Sequence, residues 1–174
     1  MDSTTLLKLL AGVRMFEEFG PGDLEDFRAQ ATGATFDAGQ DILAEGDTGR
    51  CMHIILVGKV EVYRKSGGKP VQLVRIGPSE SFGEMSLLLP GNVGRTASVK
   101  ALEPTATLMI DRDSLARIPE VASKLYRNIA RTLASRLKMA TDVVVLQAQC
   151  GSDVPPTSTL DGRRKNYQLR KSGG

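Results

Sequence analysis

Residues 51–76 have the sequence CMHIILVGKVEVYRKSGGKPVQLVRI, and this stretch decides the fold class. Its first seven residues are mostly apolar and form a run of the length of a buried strand. Val60 and Val62 then alternate with polar residues, as in a strand with one buried face. The glycines of the SGG sequence at 66–68 indicate a tight turn before the apolar positions of 71–76, so the two runs are predicted to form a β-hairpin.

Short runs of the same kind lie on both sides of this stretch. They occur at 34–37, 42–45, 97–101 and 105–110, and turn sequences rich in glycine, proline and aspartate separate them. About eight short strands at this spacing are typical of a jelly roll or barrel. The fold class is therefore predicted as mainly β with flanking helices, with a double-stranded β-helix (jelly-roll) barrel over residues 34–111.

Helical patterns flank the predicted barrel. The start of the chain, residues 1–33, is predicted as helical, with a second helix beginning near Pro21. After the barrel, residues 112–149 are predicted as a short helix that ends before Pro119 and a long helix from about Glu120. The domain is thus expected to span residues 1–149.

The long helix carries an apolar stripe whose members step by threes and fours. The stripe consists of Ala122, Tyr126, Ile129, Leu133, Leu137, Ala140 and Val144. Two interpretations remain open. The stripe packs on the protein's own barrel, or it forms a homodimer seam, since a helix of roughly eight turns is longer than a small barrel can cover.

The positive charge of the chain lies at its C-terminal end. The whole chain carries +3, and residues 151–174 hold five basic and two acidic side chains, which is also +3. This segment is rich in Pro, Ser, Thr and Gly, so 150–174 is predicted to be a disordered basic tail. It has neither the length nor the pattern of a helix-turn-helix, and DNA is therefore not an expected partner.

The composition argues against several classes of function. No apolar run approaches the roughly 18 residues of a membrane helix, and no signal peptide is recognised, so a cytoplasmic protein without a membrane partner is expected. Cys51, Cys150 and the only histidine, His53, are too few for a metal site, a haem or a disulfide framework. With no nucleophile–base or metal constellation, no catalytic residue and no enzyme activity are predicted.

The chemistry of the chain is expected in residues 81–99, SFGEMSLLLPGNVGRTASV. Gly83 allows the backbone to turn and to approach a ligand closely. Glu84 begins a predicted helical turn, where its carboxylate can accept hydrogen bonds from a sugar hydroxyl and free N–H groups can face a phosphate oxygen. Arg95 can bind a phosphate by two parallel hydrogen bonds. An acid, a turn and a base in this order suit a ligand with a ribose and a phosphate.

This segment resembles the phosphate-binding cassette of the cyclic-nucleotide-binding domains found in the catabolite activator protein, kinase regulatory subunits and gated ion channels. The family pattern F-G-E-[LMI]-[AS]-L-[LI] is met by Phe82 to Leu88, and R-[TSA]-A-[TS]-V by Arg95 to Val99. The resemblance covers about residues 14–148 and includes the turn and strand pattern upstream and the long helix downstream.

The resemblance implies a non-enzymatic sensor that binds cAMP or cGMP and needs no other cofactor. It places Glu84 on the ribose 2′-hydroxyl and Arg95 on the cyclic phosphate, with backbone N–H groups near Gly83, Ser86 and Thr96 completing the site. The implied ligand-binding residues are Phe82, Gly83, Glu84, Met85, Ser86, Arg95, Thr96 and Ala97. In some relatives a hydroxyl after the arginine, here that of Thr96, suits cGMP, and in others it suits cAMP. The predicted ligand is cAMP. Ligand binding is expected to shift the C-terminal helix, and the shifted helix is expected to act on an unknown protein effector.

Two other interpretations remain. The chain could be a ligand-free scaffold or dimerisation protein of the same fold, in which Glu84 and Arg95 form a salt bridge. It could also be a truncated transcription regulator of the catabolite-activator class.

Overall fold

The computed structural model describes residues 3–89 and 94–150. Helices come first: α1 (Ser3–Ala11), a 3-10 turn (Arg14–Phe16) and α2 (Pro21–Gln30). The strands that follow are β1 (Thr32–Phe36), β2 (Asp41–Leu43), β3 (Cys51–Val57), β4 (Val60–Ser66), β5 (Lys69–Ile76) and β6 (Ser81–Phe82). The chain continues through α3 (Met85–Leu88), β7 (Ser98–Ala101), β8 (Thr105–Asp111), α4 (Arg112–Ala116) and α5 (Pro119–Cys150). The segment predicted as a tail, 150–174, lies outside the described residues except for Cys150.

The strands form two four-stranded antiparallel sheets, and the predicted jelly-roll class is confirmed. Their strand orders are β1-β8-β3-β6 and β2-β7-β4-β5. Side chains from both sheets share one apolar cluster, formed by Ile55, Val60, Ile76, Phe82 and Val99. The sheets therefore pack face to face, as in a jelly roll, and do not join into one closed barrel.

The hairpin predicted from the central stretch is present. β4 pairs with β5 from Val60 opposite Ile76 to Ser66 opposite Lys69. Gly67 and Gly68 form the two-residue loop with φ of 57° and 77°, the left-handed values that such a turn requires. Burial along β4 decreases from Val60, which is buried, to Arg64, Lys65 and Ser66, which are exposed near the turn.

The helices cover the outer face of the first sheet. Phe27 of α2 and Leu125 of α5 are fully buried in the same cluster as Met52 and Ile54 of β3 and Ile110 of β8. Asn128 of α5 donates to the carbonyls of Met15 and Glu17 at 3.0 and 2.7 Å. The start of α5 is thus fixed to both the sheet and the N-terminal helices.

The apolar stripe of helix α5 differs between the two halves of the helix in how far the chain itself covers it. Ala122 and Ile129, in its first half, are buried against the protein's own domain. Leu137 and Val144, in its second half, are 69% and 62% exposed. The stripe is therefore a core face over the first turns and an uncovered apolar face beyond them.

Candidate functional site

Gly83 sits at the turn between β6 and α3, in the left-handed conformation with φ of 80°. A Cβ atom at this position would lie 3.0 Å from both the carbonyl oxygen of Cys51 and Nη1 of Arg95. Glycine is required here for two reasons, because other residues rarely adopt this φ and because β3 and the arginine approach so closely. The turn brings the segment 82–86 against the start of β3.

Arg95 lies beside this turn and is only 7% exposed. Its backbone N–H donates to Asp47 and its carbonyl accepts from Gly46, which fixes the residue to the β2–β3 loop. Nη1 of its guanidinium donates to the carbonyls of Cys51 and Gly83 at 2.7 and 3.2 Å. Charged hydrogen bonds of this kind hold a buried guanidinium in one orientation.

Two further contacts complete the surroundings of the guanidinium. Nη1 donates to Oγ of Ser86 at 2.8 Å, and Nη2 lies 3.1 Å from Sγ of Cys51. The described residues provide no acceptor for Nε or for the second hydrogen of Nη2. These two donors lie on one edge of the planar group, and such an edge matches two oxygens of a phosphate.

Gly49 lies along the same edge of Arg95. A Cβ atom on Gly49 would be 2.8 Å from Nη2 and 3.2 Å from Nε. A side chain at this position would therefore collide with the donor edge of the guanidinium. Sequence reasoning did not identify Gly49, because the contact joins residues 46 positions apart in the chain.

Glu84 is 4% exposed and is paired with α5 instead of with Arg95. Its Oε1 accepts from Nη1 of Arg136 at 2.6 Å, and Nη2 of Arg136 donates to the carbonyl of Ser81 at 3.1 Å. Its Oε2 is buried and has no hydrogen-bond partner. A buried carboxylate oxygen without a donor is costly, so this atom is suited to a hydroxyl donor from a ligand.

No ion pair joins Glu84 to Arg95 among the residues that the structure describes. The salt bridge expected for the scaffold interpretation is absent because each charged group has other partners. Arg136 neutralises the carboxylate, and backbone carbonyls with Ser86 orient the guanidinium.

Comparison with known proteins identifies the family to which this jelly roll belongs. The family model described as "Cyclic nucleotide-binding domain" matches residues 34–120, half of the chain. The chain belongs to this family. Its members are regulatory binding domains and not catalytic ones.

Individual relatives support the same assignment of the cyclic nucleotide-binding domain. The chain is 31% identical over 142 residues to the CRP-like cAMP-activated global transcriptional regulator of Mycobacterium tuberculosis, which is 79% of this chain and 62% of the relative. The chain thus spans about three fifths of the length of this curated relative.

Solved structures show the same fold. The N-terminal domain of a transcriptional regulator from Streptomyces coelicolor is 32% identical with a TM-score of 0.63, over 74% of this chain and 94% of that one. The catabolite activator protein of Thermus thermophilus is 29% identical with a TM-score of 0.69, over 78% of this chain and 63% of that one.

The remaining predicted site residues lie around the Gly83 turn of the cyclic nucleotide-binding domain. Phe82 is buried, and its ring stacks on that of His53 with centroids 4.9 Å apart. Thr96 is exposed, and its hydroxyl lies 3.6 Å from Sδ of Met85, itself 39% exposed. Ala97 is half-buried and precedes β7. The structure therefore brings all eight predicted residues to one region.

His53 has a structural role within β3. It is buried, and its Nδ1 lies 3.0 Å from Oγ1 of Thr107. Burial, and secondly the positive charge of Arg95, lower the pKa of His53 from 6.5 to about 4. The ring is therefore neutral at physiological pH and adds no charge to the site.

Arg136 is the main functional candidate that sequence reasoning missed. It lies 52 positions after Glu84, on the polar side of a helix whose apolar stripe alone carried a signal. Within the described residues, no group of histidine, cysteine and acidic side chains could hold a metal ion. None of the helices in that part of the chain is long and apolar enough to span a membrane.

Proposed function

We propose that this domain is a cAMP sensor, in which Arg95 binds the cyclic phosphate and Glu84 binds the ribose 2′-hydroxyl. The observation that carries the proposal is the pair of buried charged groups on either side of the Gly83 turn, each with an unused hydrogen-bonding position. Arg95 has donors at Nε and Nη2 that the described residues leave without an acceptor, and Glu84 has an acceptor without a partner. A cyclic nucleotide supplies both complementary groups on one rigid ring system.

The phosphate position follows from the anchoring of Arg95. Its Nη1 is already occupied by Cys51, Gly83 and Ser86, so the guanidinium is oriented before a ligand arrives. A group fixed in advance loses little conformational entropy on binding. The Nε and Nη2 edge beside Gly49 is then the surface that meets the anion.

The ribose position follows from the two oxygens of Glu84. Arg136 holds Oε1, and this contact leaves Oε2 to accept a hydrogen bond. A 2′-hydroxyl is a suitable donor, and binding would remove the cost of the unsatisfied buried oxygen. A 2′-deoxy cyclic nucleotide should therefore bind more weakly than the ribose form.

We favour cAMP over cGMP because of the relatives and the surroundings of Thr96. The Mycobacterium tuberculosis regulator is named as cAMP-activated. The hydroxyl of Thr96 lies against the sulfur of Met85, a weak acceptor, and this contact does not select for guanine. Equal or tighter binding of cGMP would contradict the assignment of the base but not that of the phosphate.

Helix α5 is proposed to transmit the binding event. Arg136 joins this helix directly to Glu84, the proposed ribose ligand, so a change at the carboxylate alters a contact that holds α5. Ligand then stabilises the position of α5 in which Glu84 and Arg136 best accommodate it. The output would act on a protein effector.

The uncovered face of α5 is proposed to pair with a second copy of this chain. Leu137 and Val144 lie seven residues apart on the continuation of the stripe that is buried nearer the start of the helix. A spacing of seven residues is that of a self-associating helical seam. A dimer through this face would place the second half of each α5 against the same segment of its partner.

Calorimetric titration tests the nucleotide proposal. cAMP and cGMP are titrated into the parent protein, into Arg95→Ala and into Arg75→Ala. Arg75 lies on the surface and forms an ion pair with Glu61. Arg95→Ala should weaken cAMP binding by more than about tenfold because charged hydrogen bonds to the phosphate are lost, while Arg75→Ala should bind like the parent. Absence of heat and of thermal stabilisation with both nucleotides would favour the scaffold interpretation.

A further inference from the structure

Arg112, at the start of α4, is bound to the end of α3. Its Nη2 donates to the carbonyl oxygens of Ser86, Leu87 and Leu89 at 3.2, 2.7 and 2.9 Å. α3 has one turn only, and the carbonyls at a helix end have no partner within the helix. The guanidinium therefore supplies the donors that a longer helix would provide.

These contacts connect Arg112 to the proposed phosphate ligand through one residue. Ser86 accepts from Arg112 with its carbonyl, and its Oγ accepts from Nη1 of Arg95 at 2.8 Å. The Ser86 hydroxyl also donates to the carbonyl of Gly83 at 2.8 Å. A shift of α3 by a fraction of an ångström would thus move an acceptor of Arg95.

The backbone of Arg112 fixes a second segment that contacts Arg95. The N–H of Arg112 donates to the carbonyl of Arg50 at 3.0 Å, and Arg50 directly precedes Cys51. The carbonyl of Cys51 accepts from Arg95 at 2.7 Å. Arg112 therefore holds both segments that orient the guanidinium, one by its side chain and the other by its main chain.

We propose that Arg112 is a positioning residue for the nucleotide phosphate, acting through Ser86 on Arg95. The inference rests on the proposed function, since it concerns the geometry of the same site. Arg112 is not expected to touch the ligand, because its Nη2 is occupied by α3. Its side chain keeps Ser86 at the distance at which Arg95 presents its free edge.

The test compares Arg112→Gln, Arg112→Lys and Arg117→Gln in the full chain. Arg117 is an exposed arginine at the end of the same short helix and serves as the matched control. Arg112→Gln should lower cAMP affinity by about tenfold, Arg112→Lys should restore a large part of it, and Arg117→Gln should bind like the parent. Rescue by lysine would show that the position needs a cationic donor and not only a side chain of similar volume.

A double-variant comparison separates positioning from general loosening of the fold. If Arg112 acts through Arg95, the loss caused by Arg112→Gln should be smaller in an Arg95→Lys background than in the parent. Backbone amides of 85–89 should also exchange faster in Arg112→Gln without ligand, while those of the buried start of α5 should not.

The outcomes distinguish the two proposals. Parental affinity in Arg112→Gln, with tight binding by the parent protein, would overturn the role of Arg112 and leave the sensor function standing. Equal losses of cAMP affinity from Arg112→Gln in the parent and in the Arg95→Lys background would also overturn the role of Arg112. No binding of either nucleotide by the parent would refute the proposed function and this inference together. If Arg112→Gln does not fold, the lysine variant and its coupling to Arg95→Lys decide the question.

Discussion

Acid is expected to destabilise this domain through one buried side chain, His53. The ring is 4% exposed, stacked on Phe82 and hydrogen-bonded to Thr107. Burial, and secondly the charge of Arg95, lower its pKa from 6.5 to about 4. The folded protein therefore resists a proton that the unfolded chain takes up readily.

The sign and the size of the effect follow from this difference in pKa. Because the pKa of His53 is depressed in the folded state, its stabilising contribution is complete above pH 6.5 and is lost as the pH falls from there to about 4. At about 1.4 kcal/mol for each pKa unit, the full loss of unfolding free energy is about 3 kcal/mol. Between about pH 7.5 and about pH 5 the expected loss is about 2 kcal/mol.

Urea denaturation at these two pH values measures the effect. The control is the double variant His53→Phe with Thr107→Val, which removes the titrating ring and its polar partner together. The pKa of Asp23 is lowered by Lys124 and by the N–H of Gly20. Carboxylates of this kind add the same pH dependence to the unfolding free energy of both proteins, so their contribution cancels in the comparison. An equal loss of stability in the parent and the double variant would refute the reasoning. In Arg95→Ala the loss should be smaller than in the parent, because the second cause of the shift is gone.

Three further predictions concern the site and the long helix. Gly49→Ala should lower cAMP affinity by about tenfold, since its Cβ would displace the guanidinium of Arg95. Gly33→Ala, where a Cβ would meet nothing within 4 Å, should bind like the parent, and parental affinity in Gly49→Ala would exclude the Nε edge as the phosphate contact. Arg136→Gln should weaken binding several-fold and speed hydrogen exchange in the second half of α5, because a buried carboxylate loses its counter-charge. Tighter binding would instead show that the guanidinium competes with the ribose. Leu137→Glu should reduce the mass measured by light scattering from that of a dimer to that of a monomer, and an unchanged mass would exclude this face as the seam.

The strands of this domain could be predicted because their signals are local. Alternation along β4 and the glycines at 67 and 68 fix a hairpin within a single stretch of chain. β6 was not among the predicted runs, since it has only two residues, too few for a period to show. Its pairing with β3 depends on tertiary structure and not on its own sequence.

The candidate site was predicted where one continuous segment carries it. Residues 82–86 and Arg95 were identified from the spacing of an acid, a turn and a base, together with the family resemblance. The partners of these groups were not. Arg136, Gly49 and the carbonyl of Cys51 come from other elements and meet the segment only after the sheets and α5 have packed.

The length of α5 has a mechanical consequence. The last hydrogen bonds between this helix and the rest of the described domain are those of Arg136, and 14 residues follow it to Cys150. At 1.5 Å per residue this arm is about 21 Å long, so a tilt of about 10° at Arg136 displaces its end by about 4 Å. In the proposed mechanism the helix works as a lever. A change in the contacts of one carboxylate becomes a displacement larger than a hydrogen bond at a surface well away from the ligand.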